Sequence, residues 1–355
     1  MISIDVVFAH AKWFVDGSMP FPPDWRFMID PASLVLIGAA GVLAGGWLIL
    51  TRWAGIPDLP DHRLLERLRR TAPRLVAGSL GVTLVSLAVT NHFLAPNLPV
   101  GEVTLGWALA LIEAAVGVWL IAGTRLRGAA VAVELLAVIG LALYGPVAVL
   151  ECAYMWGIAW FLRVACDHVT SQTRLGLLGL RLGLGVALVA GAVSEKLADP
   201  AIMASVLQTQ PMIAPRIAAL GLGMAMFIRL IGACELLFGL LIMTGATPRL
   251  VACIAAVPFL VTVPVFGRIE LIGHLPIYGA LLVVLVHGST NRPQPRIRLS
   301  RRAVRAWSRR AAVHIGGSRP AARRPAAAGQ SVPSVGHWQP VVSTAGSERS
   351  PTQDT

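Results

Sequence analysis

From residue 33 to residue 288 the chain is a series of apolar blocks, each close to twenty residues long, separated by short stretches bearing Arg, Pro or Gly. A helix rising 1.5 Å per residue crosses the hydrocarbon core of a bilayer in roughly 20 residues. Only 14% of the 355 residues are charged and 55% are hydrophobic. Soluble domains carry about 25% charged residues, so this chain could not cover a water-facing surface. The pattern predicts an all-α, polytopic helical membrane bundle.

The blocks predict nine spans, at 33–52, 74–95, 104–123, 127–144, 147–164, 176–196, 218–244, 249–266 and 270–288. The run at 218–244 is long enough to tilt or to begin as an interfacial turn. Basic residues in short loops set orientation. Arg52, Arg63, Arg67, Arg69, Arg70 and Arg74 follow the first span. Every second loop after that is basic as well, through Arg125 and Arg127, Arg163 and Arg174, Arg249 and the C-terminal tail. The alternate loops hold only Lys196, Arg216 and Arg268. This arrangement predicts an external N-terminus and a cytoplasmic C-terminus. Residues 61–70 (DHRLLERLRR) read as a short amphipathic helix on the inner surface, and residues 200–210 as a short external helix or lid. The N-terminal HAKWFVDG and PFPPDW segments read as an aromatic interfacial anchor, with His10 too isolated to argue for a metal. Met1 to Asp30 lacks the basic-then-apolar order of a signal peptide.

The net charge of +12 is concentrated in one place. After Thr290 there are twelve Arg against Glu348 and Asp354, so the tail holds +10 and the rest of the chain +2. A tail rich in Arg, Pro, Ala and Ser without periodicity reads as disordered. Its charge suits orientation or contact with anionic headgroups. No nucleic-acid recognition motif accompanies it. The 28 Arg against two Lys point to a high-GC bacterial genome and so to a bacterial plasma membrane. Cys152, Cys166, Cys234 and Cys253 form no CxxC pair and read as small buried apolar residues. There is no phosphate-binding Gly loop, no CxxCH, no HExxH and no nucleophile elbow. His92 could ligate haem only with a histidine from another helix, and none is evident.

Spans two to five and six to nine carry the same signals. A shift of 122 residues brings Glu113 onto Glu235, Gly117 onto Gly239, Gly123 onto Gly245, Arg127 onto Arg249, and Gly145 onto Gly267, with Tyr144 onto Phe266. A three-residue gap then brings Glu151 onto Glu270. NHFLAP (Asn91–Pro96) resembles SEKLADP (Ser194–Pro200). A shift across four spans preserves orientation, which predicts two parallel four-helix repeats and one extra N-terminal span. The domain plan is then an external segment at 1–32, the first span and amphipathic loop at 33–73, repeats at 74–166 and 175–289, and the tail from 290. Gly41 and Gly45 have GxxxG spacing in the first span and read as an internal packing face.

Charges at membrane depth are costly and mark the places to look for function. Glu270 and His274 are spaced i, i+4 and share one helix face. A carboxylate beside an imidazole can relay a proton, hold a metal or bind a polar headgroup. At the corresponding place repeat one keeps Glu151 but has Met155 instead of a histidine. Glu235 and Arg229 are six apart, about 240° around a helix, so each needs a partner from elsewhere. Glu195 or Lys196 suits one and Glu270 the other. Glu113 repeats the acid in span three, and Glu134 stands in span four without a counterpart. The competing reading of this whole set is structural, with buried polar residues bonding helices together or snorkelling to headgroups.

The run FIRLIGACELLFGLLIMTGATPRL, the following VPVFGRIELIGHLPIYGALLVVL and the preceding SEKLADP resemble DoxX-type membrane proteins. The likeness covers spans six to nine. Spans two to five resemble that four-helix unit weakly, and the first span and tail lie outside it. The resemblance implies an integral membrane subunit of a redox-linked complex, quinone- or thiosulfate-linked, with a partner protein delivering electrons. Glu270 and His274 would then handle the protons that quinone reduction takes up. Family members also include oxidative-stress components and distant assembly chaperones. A non-enzymatic chaperone or scaffold is thus a second expectation, and a small-solute transporter, suggested by parallel repeats and intramembrane charge, a third.

Overall fold

The computed structural model describes Lys12 and residues 23–100, 104, 106–165, 170–208, 213–219 and 221–288. Of the two N-terminal aromatic segments only Lys12 and residues 23–25 are described, and His10, Cys166 and the whole basic tail lie outside the described residues.

The described chain is helical apart from one small hairpin. Asp24 accepts from Arg26 N and Phe27 N and opens α1 (Trp25–Ile29). Asp30 accepts from Ala32 N and, with Pro31 in the first turn, opens α2 (Pro31–Ala54). Next come α3 (Arg63–Val89), β1 (His92–Phe93), β2 (Ala95–Pro99), α4 (Gly106–Ala122), α5 (Leu126–Glu151), α6 (Ala153–Ala165) and α7 (Thr170–Ala192). A π-helical turn at Val193–Leu197 continues α7, and α8 (Pro200–Gln208), α9 (Ile213–Ala219), α10 (Met224–Thr244) and α11 (Pro248–His287) complete the fold.

Among the described residues six helical segments are long and apolar enough to cross a membrane, and Gly106–Ala122 and Pro248–Pro264 are shorter apolar helices. Their outer faces are apolar and bare. Val35, Val42 and Ile49 on α2 are 69%, 74% and 69% exposed. Water would not tolerate so wide an apolar surface, and lipid does. The chain is a multi-pass membrane protein.

Several boundaries differ from the sequence reading for local reasons. The amphipathic stretch 61–70 is not a separate helix. His62 Nδ1 accepts from Leu64 N, and α3 runs on through Pro73 into the second apolar run. Its first turns remain exposed on one side while Leu65 and Leu68 pack on the core. The second run ends at Val89, because Asn91 and Leu94 adopt positive φ (63° and 64°) and fold back into the hairpin. In the run at 218–244, Ala218 and Ala219 close α9, and the long helix begins at Met224, after Gly221 at φ 68°. The fifth run is divided at Cys152.

Packing sets the helices in matching pairs. α3 lies on α4 and α7 on α10. Backbones approach where glycines face each other. A Cβ on Gly117 would stand 2.8 Å from the Gly81 carbonyl oxygen, and one on Gly239 would stand 2.8 Å from that of Gly185. α6 lies on α7 and the second half of α11 on α3, through Gly157 against Gly183 and Gly279 against Ser79. Gly123 and Gly245 (φ 66° and 63°), Arg125 and Thr247 (46° and 42°), and Gly145 and Gly267 (83° and 73°) share their unusual backbone at a spacing of 122. The last pair kinks α5 and α11. Gly157 and Gly279 keep the same spacing, so at this contact the three-residue gap of the sequence alignment has no counterpart.

α2 packs on α10, but through Ala40, with Ala192 and Leu236 beside it, and Ala44 is buried one turn on. Gly41 and Gly45 have nothing within 4 Å of a would-be Cβ. The GxxxG pair lies about 100° around the helix from the buried alanines and is not the packing face.

Candidate functional site

Gly267 breaks the helical backbone of α11, and Glu270 and His274 stand in the first turns after the break. Both side chains are fully buried. His274 Nδ1 lies 3.0 Å from the Glu270 carbonyl oxygen and 3.3 Å from Glu270 Oε1. With two acceptors facing it, Nδ1 carries the hydrogen. The Thr262 hydroxyl comes from before the kink. It is 2.6 Å from Glu270 Oε1 and 2.7 Å from the Phe259 carbonyl oxygen. One hydroxyl hydrogen serves one of these at a time. When it turns to the carbonyl, a proton on Glu270 completes the Glu270–Thr262 bond. When Glu270 is ionised, the hydroxyl donates to it instead. The arrangement therefore accepts either charge state of the carboxyl without moving a heavy atom. Glu270 Oε2 is buried with no hydrogen-bond partner among the described residues. Tyr278 donates to the Phe259 carbonyl at 2.8 Å, and the Phe259 ring is 5.2 Å from the imidazole. Just outside this group Leu260, Val261 and Leu271 are exposed.

A second polar cluster is built on the π-helical turn. Such a turn re-aims side chains within a helix and recurs at functional sites. Here it buries Glu195 and Lys196 together. Lys196 Nζ lies 2.7 Å from Glu235 on α10 and 3.6 Å from Glu195. Ser194 donates to Glu151 at 2.5 Å, and Lys12 also pairs with Glu151. Asp199 accepts from the backbone of Ala201 and Ile202 and so caps α8. Burial raises its pKa above the ordinary carboxylate value.

Of the expected partners, Lys196 does meet Glu235. Arg229 does not meet Glu270. It pairs with Asp30 at 3.2 Å, donates to Ser33 at 3.0 Å and lies 4.2 Å above the Phe27 ring. The reason is its place one turn into α10, beside the start of α2. Glu113 stands apart from both clusters' ion pairs. Its Oε1 accepts from Leu94 N at 2.8 Å, holding the positive-φ corner of the hairpin. Glu134 pairs with Arg163 at 3.3 Å. Cys152 is buried as expected, whereas Cys234 and Cys253 are exposed on the helix surface. No group of three or more His, Cys, Asp or Glu suited to a metal occurs among the described residues.

Sequence reasoning passed over Lys12, Ser194, Thr262 and Asp30. Ser194 lay inside SEKLADP, the motif already singled out. Asp30 before Pro31 was visible as a helix start. Thr262 and Lys12 gave no signal, since their partners depend on a kink and on a distant chain crossing. Comparison with family models, with curated protein sequences and with solved structures finds no match to this chain.

Proposed function

We propose that this protein is the membrane subunit of a redox-linked complex, quinone- or thiosulfate-linked, of the DoxX type, in which Glu270 and His274 move protons. The carrying observation is the Thr262–Glu270–His274 group, its acid and imidazole fully buried, spanning a helix break and able to hold the carboxyl in either charge state. A quinone that takes two electrons takes two protons to become a quinol. The Glu270 carboxylic acid and the His274 imidazolium can each supply one, leaving a carboxylate and a neutral imidazole, and a partner protein supplies the electrons. The orphaned Glu270 Oε2 is the atom left over for a further partner.

In this reading the chain has nine spans in two parallel repeats and one extra span, an external N-terminus and a cytoplasmic tail, in a bacterial plasma membrane. The paired backbone turns at a spacing of 122 and the matched glycine contacts support the repeat. A second reading, a non-enzymatic chaperone or scaffold, is favoured by the pairing of two other intramembrane cations within the fold. Lys196 with Glu235 and Arg229 with Asp30 are satisfied within the fold.

The test is gentle extraction from the native membrane, with mass spectrometry of the proteins and small molecules that co-purify. A bound quinone or a redox partner is expected, and Glu270→Gln with His274→Ala should then abolish quinone turnover while leaving the complex assembled. Recovery with unfinished membrane proteins and no quinone, or full turnover in the folded double variant, overturns the redox reading in favour of the scaffold.

A further inference from the structure

At the Arg63 end of the bundle the arginines fall into two groups. Arg69 and Arg249 are held by the fold. Arg69 donates to the Val286 carbonyl and pairs with Asp61 at 2.9 Å. Arg249 donates to the Leu285 and Leu59 carbonyls and pairs with Asp61. They satisfy the last carbonyls of α11, which have no partner within the helix.

Arg63, Arg67, Arg70 and Arg74 are different. At 100° per residue they form a row about 60° wide on α3, opposite Leu65, Leu68 and Ala72. All four are exposed. Among the described residues none has a carboxylate within ion-pair distance, although Glu66 lies on the same helix between them. The stem of Arg74 runs over Gly123, its Cγ 3.9 Å from a would-be Cβ there. Arg125, two residues on, is exposed as well. Below the row the surface turns apolar, with Leu75, Ile121 and Val118 43%, 49% and 58% exposed.

The 27 residues of α3 make a helix of roughly 40 Å, against a hydrocarbon core of about 30 Å. Its excess of about 10 Å carries Arg63 and Arg67, and the long stems of Arg70 and Arg74, one to two turns further on, reach back towards the same headgroup depth. Five guanidiniums with no carboxylate partner among the described residues form an anion site, since the fork of Arg matches phosphate. The apolar strip beneath it faces where acyl chains run. We propose that Arg63, Arg67, Arg70, Arg74 and Arg125 form a binding site for an anionic phospholipid, its phosphate on the arginines and its chains along Leu75, Val118 and Ile121. This assignment is independent of the redox reading.

The test is native mass spectrometry of the full chain in detergent, offered phosphatidylglycerol and phosphatidylcholine of the same acyl chains. The wild type should retain phosphatidylglycerol preferentially. R67Q/R70Q/R74Q should lose that preference by a factor on the order of ten to a hundred. R301Q/R302Q/R305Q, which removes the same charge from the tail, should keep it. Equal retention of both lipids by the wild type overturns the proposal. So does a preference that survives the α3 substitutions with an unchanged melting temperature, or one that the tail substitutions abolish instead. Because the wild-type comparison decides on its own, a failure of the triple variant to fold leaves the proposal open to refutation.

Discussion

The hydroxyl of Thr83 on α3 donates to the carbonyl of Ile272 on α11 at 2.7 Å. That carbonyl is free because Pro276, four residues on, has no N–H to offer it. The threonine therefore repairs, from another helix, a bond that the proline removed. It also lies within the helix turn shared by Glu270 and His274. Thr83→Val keeps the shape and leaves the carbonyl buried without a partner, which costs about 1–3 kcal/mol. Thermal unfolding in detergent should show the loss, and Thr83→Ser should restore most of it.

Lys196 is the cation of a fully enclosed group. It faces Glu235 at 2.7 Å and Glu195 at 3.6 Å, with both its own side chain and that of Glu195 almost wholly buried. Removing one partner of such a pair leaves a charge stranded in low dielectric. Lys196→Met should cost about 3–5 kcal/mol. Adding Glu235→Gln should recover part of that, since the stranded charge goes too. A double variant no more stable than Lys196→Met would show that the pair does not act as a unit.

The helices could be read from the sequence because lipid imposes one rule on every span, and apolar blocks answer it directly. The matched glycines at a spacing of 122 were legible because packing and kinking demand them. Gly117 and Gly239 sit where backbones cross, and Gly145 and Gly267 where helices kink. What escaped was decided by three-dimensional proximity. Arg229 turned to Asp30 rather than Glu270 because α2 runs beside α10. Glu113 found the Leu94 amide because the NHFLAP stretch folds into a hairpin, whereas SEKLADP winds a π-helical turn that buries Lys196. Neither difference follows from the similarity of the two motifs.

Asp199 gives a dependence on pH. Burial raises its pKa above the ordinary value of 3.8, so the folded protein keeps this proton to higher pH than the unfolded chain. Between those two values the native state binds more protons, and stability falls as pH rises. The contribution is fully present below the unfolded value and is lost through the folded one. Asp199→Asn caps α8 equally well and does not titrate. The variant should exceed the wild type in melting temperature at neutral pH and converge with it towards acid pH. A difference independent of pH would show that the carboxyl is not held by burial.

Glycine substitutions separate packed faces from bare ones. A Cβ on Gly185 would stand 2.6 Å from the Gly239 carbonyl oxygen and 2.3 Å from Met243 Cγ. The methionine can swing away, but the backbone oxygen cannot, so Gly185→Ala must push α7 and α10 apart. That separation loosens the contact between the two helices that bring Lys196 to Glu235, and the cost should be about 1–3 kcal/mol. Gly41 and Gly45 on α2 have the more suggestive spacing and no neighbour within 4 Å. Gly41→Ala should be neutral, or stabilise by roughly 0.5–1 kcal/mol through helix propensity. Melting temperatures of the two variants, measured in the same detergent, should move in opposite directions or differ by several degrees. Equal losses at both positions would mean that the α2 glycines meet a partner in the assembled protein, which cross-linking through Gly41→Cys would then detect.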